Sequence, residues 1–510
     1  MNFCRSQQAL LILLCSLGFL QVSAQRSAPE RVRTIIVFFD GLRPDYITKA
    51  DMPNLYAFKQ QGTYGNSHHS VFPTVTRLNA ASYATGSYPD THGIMGNIIF
   101  LPQVSTRKTL NTGDVKDLEK VARATGDRLL TAPSLGEILS AQGKDLMVFS
   151  SGSTGQAFLQ NHKVKGRGIV NPDMILPASL KEKVIDELGP PPTKDDPNED
   201  RHEWVTNAFL KFGLVKDGPL VTAIWFSDPD HTAHNHGMGS AQTQKAIRAV
   251  DKEFGRILAE LSARSLLDKY NIIISADHGF VTYIGRQTLR SFLIEQGFKK
   301  DKLSDDVVVA DGAIYVKNND PLRIRQIVKA LQQQSWIGAI FTRAVSPGNR
   351  KGWVSGTLSF DAIHWNHPTR VADILVDRNW NRDRNNMGYE GSGFSKGVAG
   401  HGGLSPYETT IPLIVSGPAF TKARVSELPT SNVDIVPTVL ALYQIPAPAS
   451  MEGRVMRELM RNQKAVDSKP IAETIKTQVT YDWGTYVLEL KVTRYGSYRY
   501  IDYARVHRQF

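Results

Sequence analysis

Cysteine is nearly missing from this chain. Its 510 residues include two, Cys4 and Cys15, and both fall within the first 24 positions. The chain beyond residue 24 can hold neither a disulfide framework nor a thiolate metal site. Long apolar runs are scarce too. The run at residues 9–20 is too short to cross a bilayer comfortably, and no later stretch is long enough. No dense Lys/Arg block with interleaved aromatics occurs, so a main role in nucleic-acid binding has little support. Internal repeats are lacking as well. Hydrophobic content of 41% and charged content of 21% describe a globular chain able to bury a large core.

The first 24 residues read as a processing signal: Arg5, the apolar run, then the small-residue site Val22-Ser23-Ala24. An uncleaved anchor is the alternative. Leu13-Leu14-Cys15 resembles a lipid-attachment site, but its Cys lies inside the apolar run and the better cleavage site comes later. The expectation is an exported protein, periplasmic or secreted, with no membrane span after signal removal. Arg5 is the sole charge in the signal, so its loss lowers the net charge from +11 to +10. That balance favours anionic substrates or anionic surfaces, or simply marks a basic exported protein. Nothing in the sequence specifies an oligomeric state.

The remainder alternates strands with helices. TIIVFFD (34–40), DLMVFSS (145–151), PLVTAIWFSD (219–228), NIIISADHG (271–279) and TIPLIVSGP (410–418) are near-continuous apolar runs, as strands buried on both faces require. Between them, 52–62, 133–143, 202–213, 241–264 and 432–445 read as helices, with Asn432 as a candidate N-cap. The rhythm predicts an α/β fold: a doubly wound, mostly parallel central sheet with helices on both faces. Residues 25–465 read as one catalytic domain. Residues 280–400 are less regular, with a hairpin around 307–318 and a polar Gly-rich run at 379–397, and read as an inserted cap. Residues 466–510 read as a strand-rich extension of the same domain that supplies edge strands.

Chemistry concentrates at the strand ends. Asp40 closes the first strand. Asp230 and His234 stand in DPDHTAH, Asp277 and His278 in ADHG, and His401 in GHGG. Ligands bind beyond the carboxyl ends of strands in such sheets. Singly, each residue also fits an ordinary turn or loop. Together, three carboxylates and three imidazoles without sulfur suit zinc, and less exclusively manganese or iron. Six ligands are too many for one tetrahedral ion and suit two, which can clamp an in-line displacement at phosphorus. Thr76, in the small-residue stretch FPTVTRLNAASYATGSYPDTHGIMGN (72–97), is read as a nucleophile activated by that coordination.

VFFDGLRPDY, FPTVT with TGSYPDTHGIMGN, SDPDHTAH, ADHG and GHGG together resemble the nucleotide pyrophosphatase/phosphodiesterase family of the alkaline phosphatase superfamily, over about residues 34–460. The resemblance implies an alkaline-phosphatase-like core, two Zn2+ ions, a small phosphorylated substrate, and cleavage of phosphodiester or pyrophosphate bonds through a phospho-threonine. Carried over, Asp40, Thr76, Asp277 and His278 hold one ion, and Asp230, His234 and His401 the other. Asn97, with the Thr76 backbone N–H, binds a non-bridging oxygen. Presence of every ligand argues against a non-catalytic binding protein on a degenerate scaffold.

Two features depart from that pattern. The aromatic that usually succeeds the nucleophile is Arg77 here, which meets an extra anionic group on the substrate or is a solvated arginine. Lys165 and Arg167, in HKVKGRGIV, are similar to the Lys-x-Arg element of a zinc-dependent type of alkaline phosphatase. They support a phosphomonoesterase alternative, or are a basic surface turn. Among other histidines, His92 is expected to support the Asn97 loop, His68 and His69 to pack beneath the motif, and His364 and His367 to border the pocket without ligating.

Overall fold

A computed structural model describes residues 32–464 and 468–509. The signal read at residues 1–24, with Cys4, Arg5 and Cys15, lies outside them. The central sheet has ten strands: β1 (Arg33–Phe39), β2 (Thr63–His69), β3 (Leu146–Ser150), β4 (Gly168–Asn171), β5 (Met174–Leu176), β6 (Val221–Phe226), β7 (Tyr270–Ser275), β8 (Thr410–Ser416), β9 (Arg424–Ser426) and β10 (Thr430–Ser431). Their order is β9-β2-β8-β7-β1-β6-β3-β4-β5, with β10 also on β2. β7, β1, β6, β3 and β4 run parallel. β8 runs against β7 and β2, and β5 against β4.

The apolar run of β1 is buried on both sides because alternate side chains serve different layers. Ile35, Val37 and Phe39 pack with Ile247, Val250, Phe254 and Ile257, whereas Ile36 and Phe38 pack with Trp225, Ala80 and Tyr83. Each such side chain contributes about 1.5–3 kcal/mol when fully buried. Of the helices that matter here, α1 is Pro53–Gln61, α2 Thr76–Thr85, α3 Glu199–Ala208, α4 Asp230–His236 and α5 Ala241–Ala263. The 3.6-residue apolar period read over 241–264 becomes α5. α2 is buried along nearly its whole length, and its Ala80, Ala81 and Ala84 keep it slim enough to lie there.

Three readings are refined. The helix expected over 432–445 begins as a 3-10 turn capped by Ser431 with Asp434 in a capping box, then continues as Ile435–Leu442. Asn432 is not its cap; its amide donates to the Ala276 carbonyl at 3.1 Å beneath the site. The expected helix at 202–213 ends in a π-helical turn, Phe209–Gly213. The tail adds no edge to the central sheet: Ile471–Tyr481, Gly484–Tyr495 and Tyr498–Gln509 form their own antiparallel sheet. That sheet reaches both the core, through Asp502 to His69 at 3.0 Å, and the 280–400 region, through the Tyr486 hydroxyl to the Gly338 carbonyl at 2.8 Å.

Residues 280–400 hold two further sheets. One has five strands, including the hairpin Val307–Ala310 and Ala313–Val316, packed on the helices Leu289–Glu295 and Pro321–Gln332. The other has four, and it turns the polar 379–397 run into the hairpin Trp380–Arg384 with Glu390–Lys396. No helix among the described residues is long and apolar enough to cross a membrane.

Candidate active site and metal centre

The carboxyl ends of β1, β6 and β7 lie side by side, and each delivers an Asp. Asp40 follows β1, Asp230 opens α4 just after β6, and Asp277 follows β7. The backbone ties them together: the Asp230 N–H donates to the Asp40 carbonyl at 3.0 Å, and the Gly41 N–H to Asp277 Oδ1 at 3.1 Å. Position 41 must be glycine on two grounds. Its φ is +70°, and an added Cβ would lie 3.0 Å from the Asp230 Cβ. Asp230 and His234 share one helix face four residues apart, with Nε2 to Oδ1 at 3.1 Å.

His278 and His401 join that cluster. Their rings stack at 3.4 Å between centroids and 10° between planes. His278 Nε2 lies 3.0 Å from Asp277 Oδ2, 3.5 Å from Asp40 Oδ1 and 4.0 Å from Asp230 Oδ1; His401 Nε2 lies 3.2 Å from Asp230 Oδ1. Thr76, the first residue of α2, is 3% exposed and places Oγ1 3.1 Å from His278 Nε2. All six acidic and imidazole residues read from the sequence thus meet in one cluster, which Thr76 joins through His278.

Two observations test whether divalent ions fit these residues. First, each imidazole has Nδ1 on a backbone carbonyl: His278 on Gly279 at 3.0 Å, His234 on Ala399 at 3.1 Å, His401 on Thr74 at 2.8 Å. Each therefore donates through Nδ1 and turns Nε2 to the cluster, the ring orientation a metal ligand needs. Second, Asp40 Oδ1, Asp230 Oδ1 and Asp277 Oδ2 are buried with no hydrogen-bond partner. Three carboxylates crowded together resist ionising at once without cations. Burial and the charges of Asp277 and Asp230 push the Asp40 carboxyl well above the usual range. Burial raises Asp230 too, but His234 and His401 outweigh it and hold that carboxyl well below. Burial, with His278 alongside, lowers His401 to about 4. Two metal-capable groups lie within this cluster, Asp230 with His234 and His401, and Asp40 with Asp230 and His278. The residues fit a pair of divalent ions sharing this cluster.

A cavity of about 530 Å³ opens above it, lined by Val75, Arg77, Asn97, Asp230, His234 and His401 on the core side. The Arg77 backbone N–H donates to Asn97 Oδ1 at 3.0 Å, which leaves the Asn97 NH2 as the free end of that amide. His92 lies beneath this loop and accepts the Ile94 N–H at 3.1 Å. His68 is buried below the site, with Nε2 3.1 Å from Ser275 Oγ.

Lys165 and Arg167 are not brought to this cluster. The Arg167 N–H bonds the Leu146 carbonyl at the amino end of β3, and its guanidinium pairs with Asp145 at 2.9 Å. Leu146 is level with Val221 and Thr34, at the sheet edge opposite Asp40, about 20 Å of extended strand away. They are a basic turn at the wrong end of the strands. His364 and His367 do not border the cavity either. His364 stacks on Tyr88 at 4.1 Å, and His367 bonds Thr131 at 3.1 Å; Trp365 between them reaches the cavity wall.

Several residues escaped the sequence reading. Asp311, at φ +51° in the turn of the 307–316 hairpin, accepts the Ile98 N–H at 2.8 Å and so holds the Asn97 loop. Its Asp-Gly turn was visible as a hairpin signal; its docking was not. Trp225 donates Nε1–H to Asp40 Oδ2 at 3.0 Å. Asp377 and Glu408 hold the loop after His401, through the Leu404 N–H at 3.2 Å and the Gly403 N–H at 2.8 Å.

A family profile described as type I phosphodiesterase/nucleotide pyrophosphatase matches residues 34–382, more than half of the chain. The chain belongs to that family. The profile stops short of His401, which the structure nevertheless seats in the cluster. Mouse ectonucleotide pyrophosphatase/phosphodiesterase family member 7 is 26% identical over 275 residues, 53% of this chain and 55% of its own length. A bis(5'-adenosyl)-triphosphatase of Xenopus laevis is 26% identical over 252 residues, 48% of this chain and 47% of its own. This chain spans about half the length of such curated relatives. Among solved structures, human ectonucleotide pyrophosphatase/phosphodiesterase 5 superposes with a TM-score of 0.59 at 19% identity, covering 84% of this chain and all of that one. The alkaline phosphatase PafA gives 0.64 at 15%, covering 85% and 100%. The fold is therefore alkaline-phosphatase-like, as the resemblance implied, and its mostly parallel central sheet is the one the strand rhythm predicted.

Proposed function

We propose that this family member is an exported, divalent-metal phosphoric ester hydrolase that cleaves phosphodiester or pyrophosphate bonds through a phospho-threonine at Thr76. One observation carries the reading: Thr76 Oγ1 lies against His278, at the edge of a cluster of three carboxylates and three imidazoles that includes three unpartnered carboxylate oxygens. Asp40, Thr76, Asp277 and His278 would hold one ion, and Asp230, His234 and His401 the other, with zinc favoured by the nitrogen and oxygen donor set. Bound there, such ions would lower the hydroxyl pKa of Thr76 and neutralise phosphoryl oxygens.

The chain's own groups do the rest. Thr76 Oγ1 forms a bond to phosphorus as the bond to the leaving oxygen breaks; water later hydrolyses the phospho-threonine and returns the hydroxyl. The Asn97 NH2 donates to a non-bridging oxygen, where charge builds as the new bond forms. Asp311 and His92 keep the Asn97 loop in place. Export is supported by the pattern of residues 1–24, and by the word ecto in the names of relatives. The phosphomonoesterase alternative loses the support of Lys165 and Arg167, because both lie at the far sheet edge.

The test is an acid quench during turnover of the p-nitrophenyl ester of thymidine 5'-monophosphate by the zinc-loaded protein. A thymidine 5'-phosphoryl adduct on the peptide containing Thr76, with release of p-nitrophenolate, is expected. Turnover without any adduct on that peptide would point to direct attack by water.

A further inference from the structure

Arg77 comes directly after the nucleophile, and its surroundings are unusual for an arginine. Its Nε is buried without a hydrogen-bond partner, and among the described residues its side chain makes no ion pair. It lines the cavity and is no solvated surface residue. The acids that share the cavity wall with it are committed elsewhere: Asp230 to His234 and His401, Asp311 to the Ile98 N–H, Asp377 to the Leu404 N–H and Glu408 to the Gly403 N–H. A half-buried guanidinium whose Nε has no partner gains when an anion reaches it.

We propose that Arg77 is the specificity-determining cation of this site, binding a second negative charge next to the scissile phosphorus. This rests on the hydrolase reading above and names the substrate class within it. A simple diester has one charge, which the Asn97 NH2 and the cluster already meet. The extra charge is the third oxygen of a phosphate monoester dianion, or the neighbouring phosphate of a pyrophosphate. A guanidinium fork suits either, because it can donate to two oxygens in parallel. Its backbone N–H fixes Asn97 while its side chain faces the cavity, so both phosphate-directed groups are set by one residue. The other guanidinium on the cavity wall, Arg378, sits 4.9 Å over the Trp336 ring and beside Asp377, in the 280–400 region.

The experiment compares wild type, Arg77→Met and Arg77→Lys, all zinc-loaded, on three substrates. Bis(p-nitrophenyl) phosphate has a single charge, p-nitrophenyl phosphate is a monoester dianion, and ATP has a neighbouring phosphate. Arg77→Met is expected to lower kcat/KM about 100-fold on a doubly charged substrate and less than about 5-fold on the diester, with Arg77→Lys recovering part of the loss. Loss on p-nitrophenyl phosphate alone names the monoester as the source, and loss on ATP alone names the pyrophosphate. Equal losses on all three substrates, or none on either charged one, would overturn the proposal. Calorimetric binding of inorganic phosphate gives a readout independent of turnover, with about 10-fold weaker binding expected for Arg77→Met at an unchanged unfolding temperature. Unchanged phosphate affinity would sink the role of Arg77 even if catalysis were lost. No turnover of any substrate by wild type, with phosphate binding still dependent on Arg77, would instead sink the hydrolase reading.

Discussion

Thr76 Oγ1 and His278 Nε2 lie 3.1 Å apart, and His278 Nδ1 is fixed on the Gly279 carbonyl at 3.0 Å. The nucleophile candidate thus faces an imidazole whose tautomer is already set. Thr76→Ala should lower kcat/KM at least about 1,000-fold on any substrate while leaving the unfolding temperature near that of wild type. Thr76→Ser, which keeps the hydroxyl, should retain measurable turnover. Activity of the Ala variant within about 10-fold of wild type would remove Thr76 from the chemistry.

Metal content should track the cluster. Elemental analysis of the pure protein should find two divalent ions per chain, and chelation should abolish turnover. It should also lower the unfolding temperature, because ligands that bind only the folded state stabilise it, by about 4 kcal/mol when free ligand exceeds Kd 1,000-fold. His234→Asn should retain about one ion per chain.

Trp225 reaches the same centre indirectly, through Nε1–H to Asp40 Oδ2 at 3.0 Å. Trp225→Phe keeps the ring stacked on Phe38 but removes that donor. Metal affinity should fall about 10–100-fold, read by competition with a chelating dye. Saturating metal should restore most of the activity.

Lys165→Ala and Arg167→Ala should leave kcat/KM within about 2-fold on both monoester and diester substrates, as surface charges far from the chemistry do. A monoester-specific loss would show that these residues reach the site in a way the strand order forbids.

Acid should destabilise the fold through His68. Burial, with His69 nearby, lowers its pKa to about 3, below the ordinary 6.5. The unfolded chain takes up a proton below pH 6.5 that the folded chain refuses. Its contribution is therefore complete above pH 6.5 and is lost as pH falls toward 3, at about 1.4 kcal/mol per pH unit. Denaturant unfolding at pH 7 and pH 5 should show a drop about 2 kcal/mol larger in wild type than in His68→Gln. Equal drops would mean that His68 is protonated in the folded protein.

Much of the core could be read in advance, for a local reason. A strand buried on both faces is apolar at every position, so TIIVFFD and NIIISADHG declare themselves without tertiary information. The period of α5 does the same. Direction and position could not be read. TIPLIVSGP looks like any core strand, yet β8 runs antiparallel to β7. The alternating tail could pair with anything, and its own three strands pair with one another. Lys165-x-Arg167 shows the same limit, because a motif does not say which end of a sheet its turn occupies.

The sequence by itself determined the chemistry on offer: three Asp and three His at strand ends, a Thr in a small-residue stretch, and no thiol after residue 24. Those identities are covalent and need no fold. Tertiary structure alone decided which of them meet. Parallel pairing of β6, β1 and β7 aligns three carboxyl ends within reach of one another, and places Asp145 and Arg167 at the opposite edge. It also brings Asp311, from a hairpin more than 200 residues along, against the Asn97 loop. It leaves Arg77 half-buried beside the nucleophile, with its Nε unpartnered. Such contacts depend on chain segments far apart in sequence, whose closure is set by the packing of the whole core.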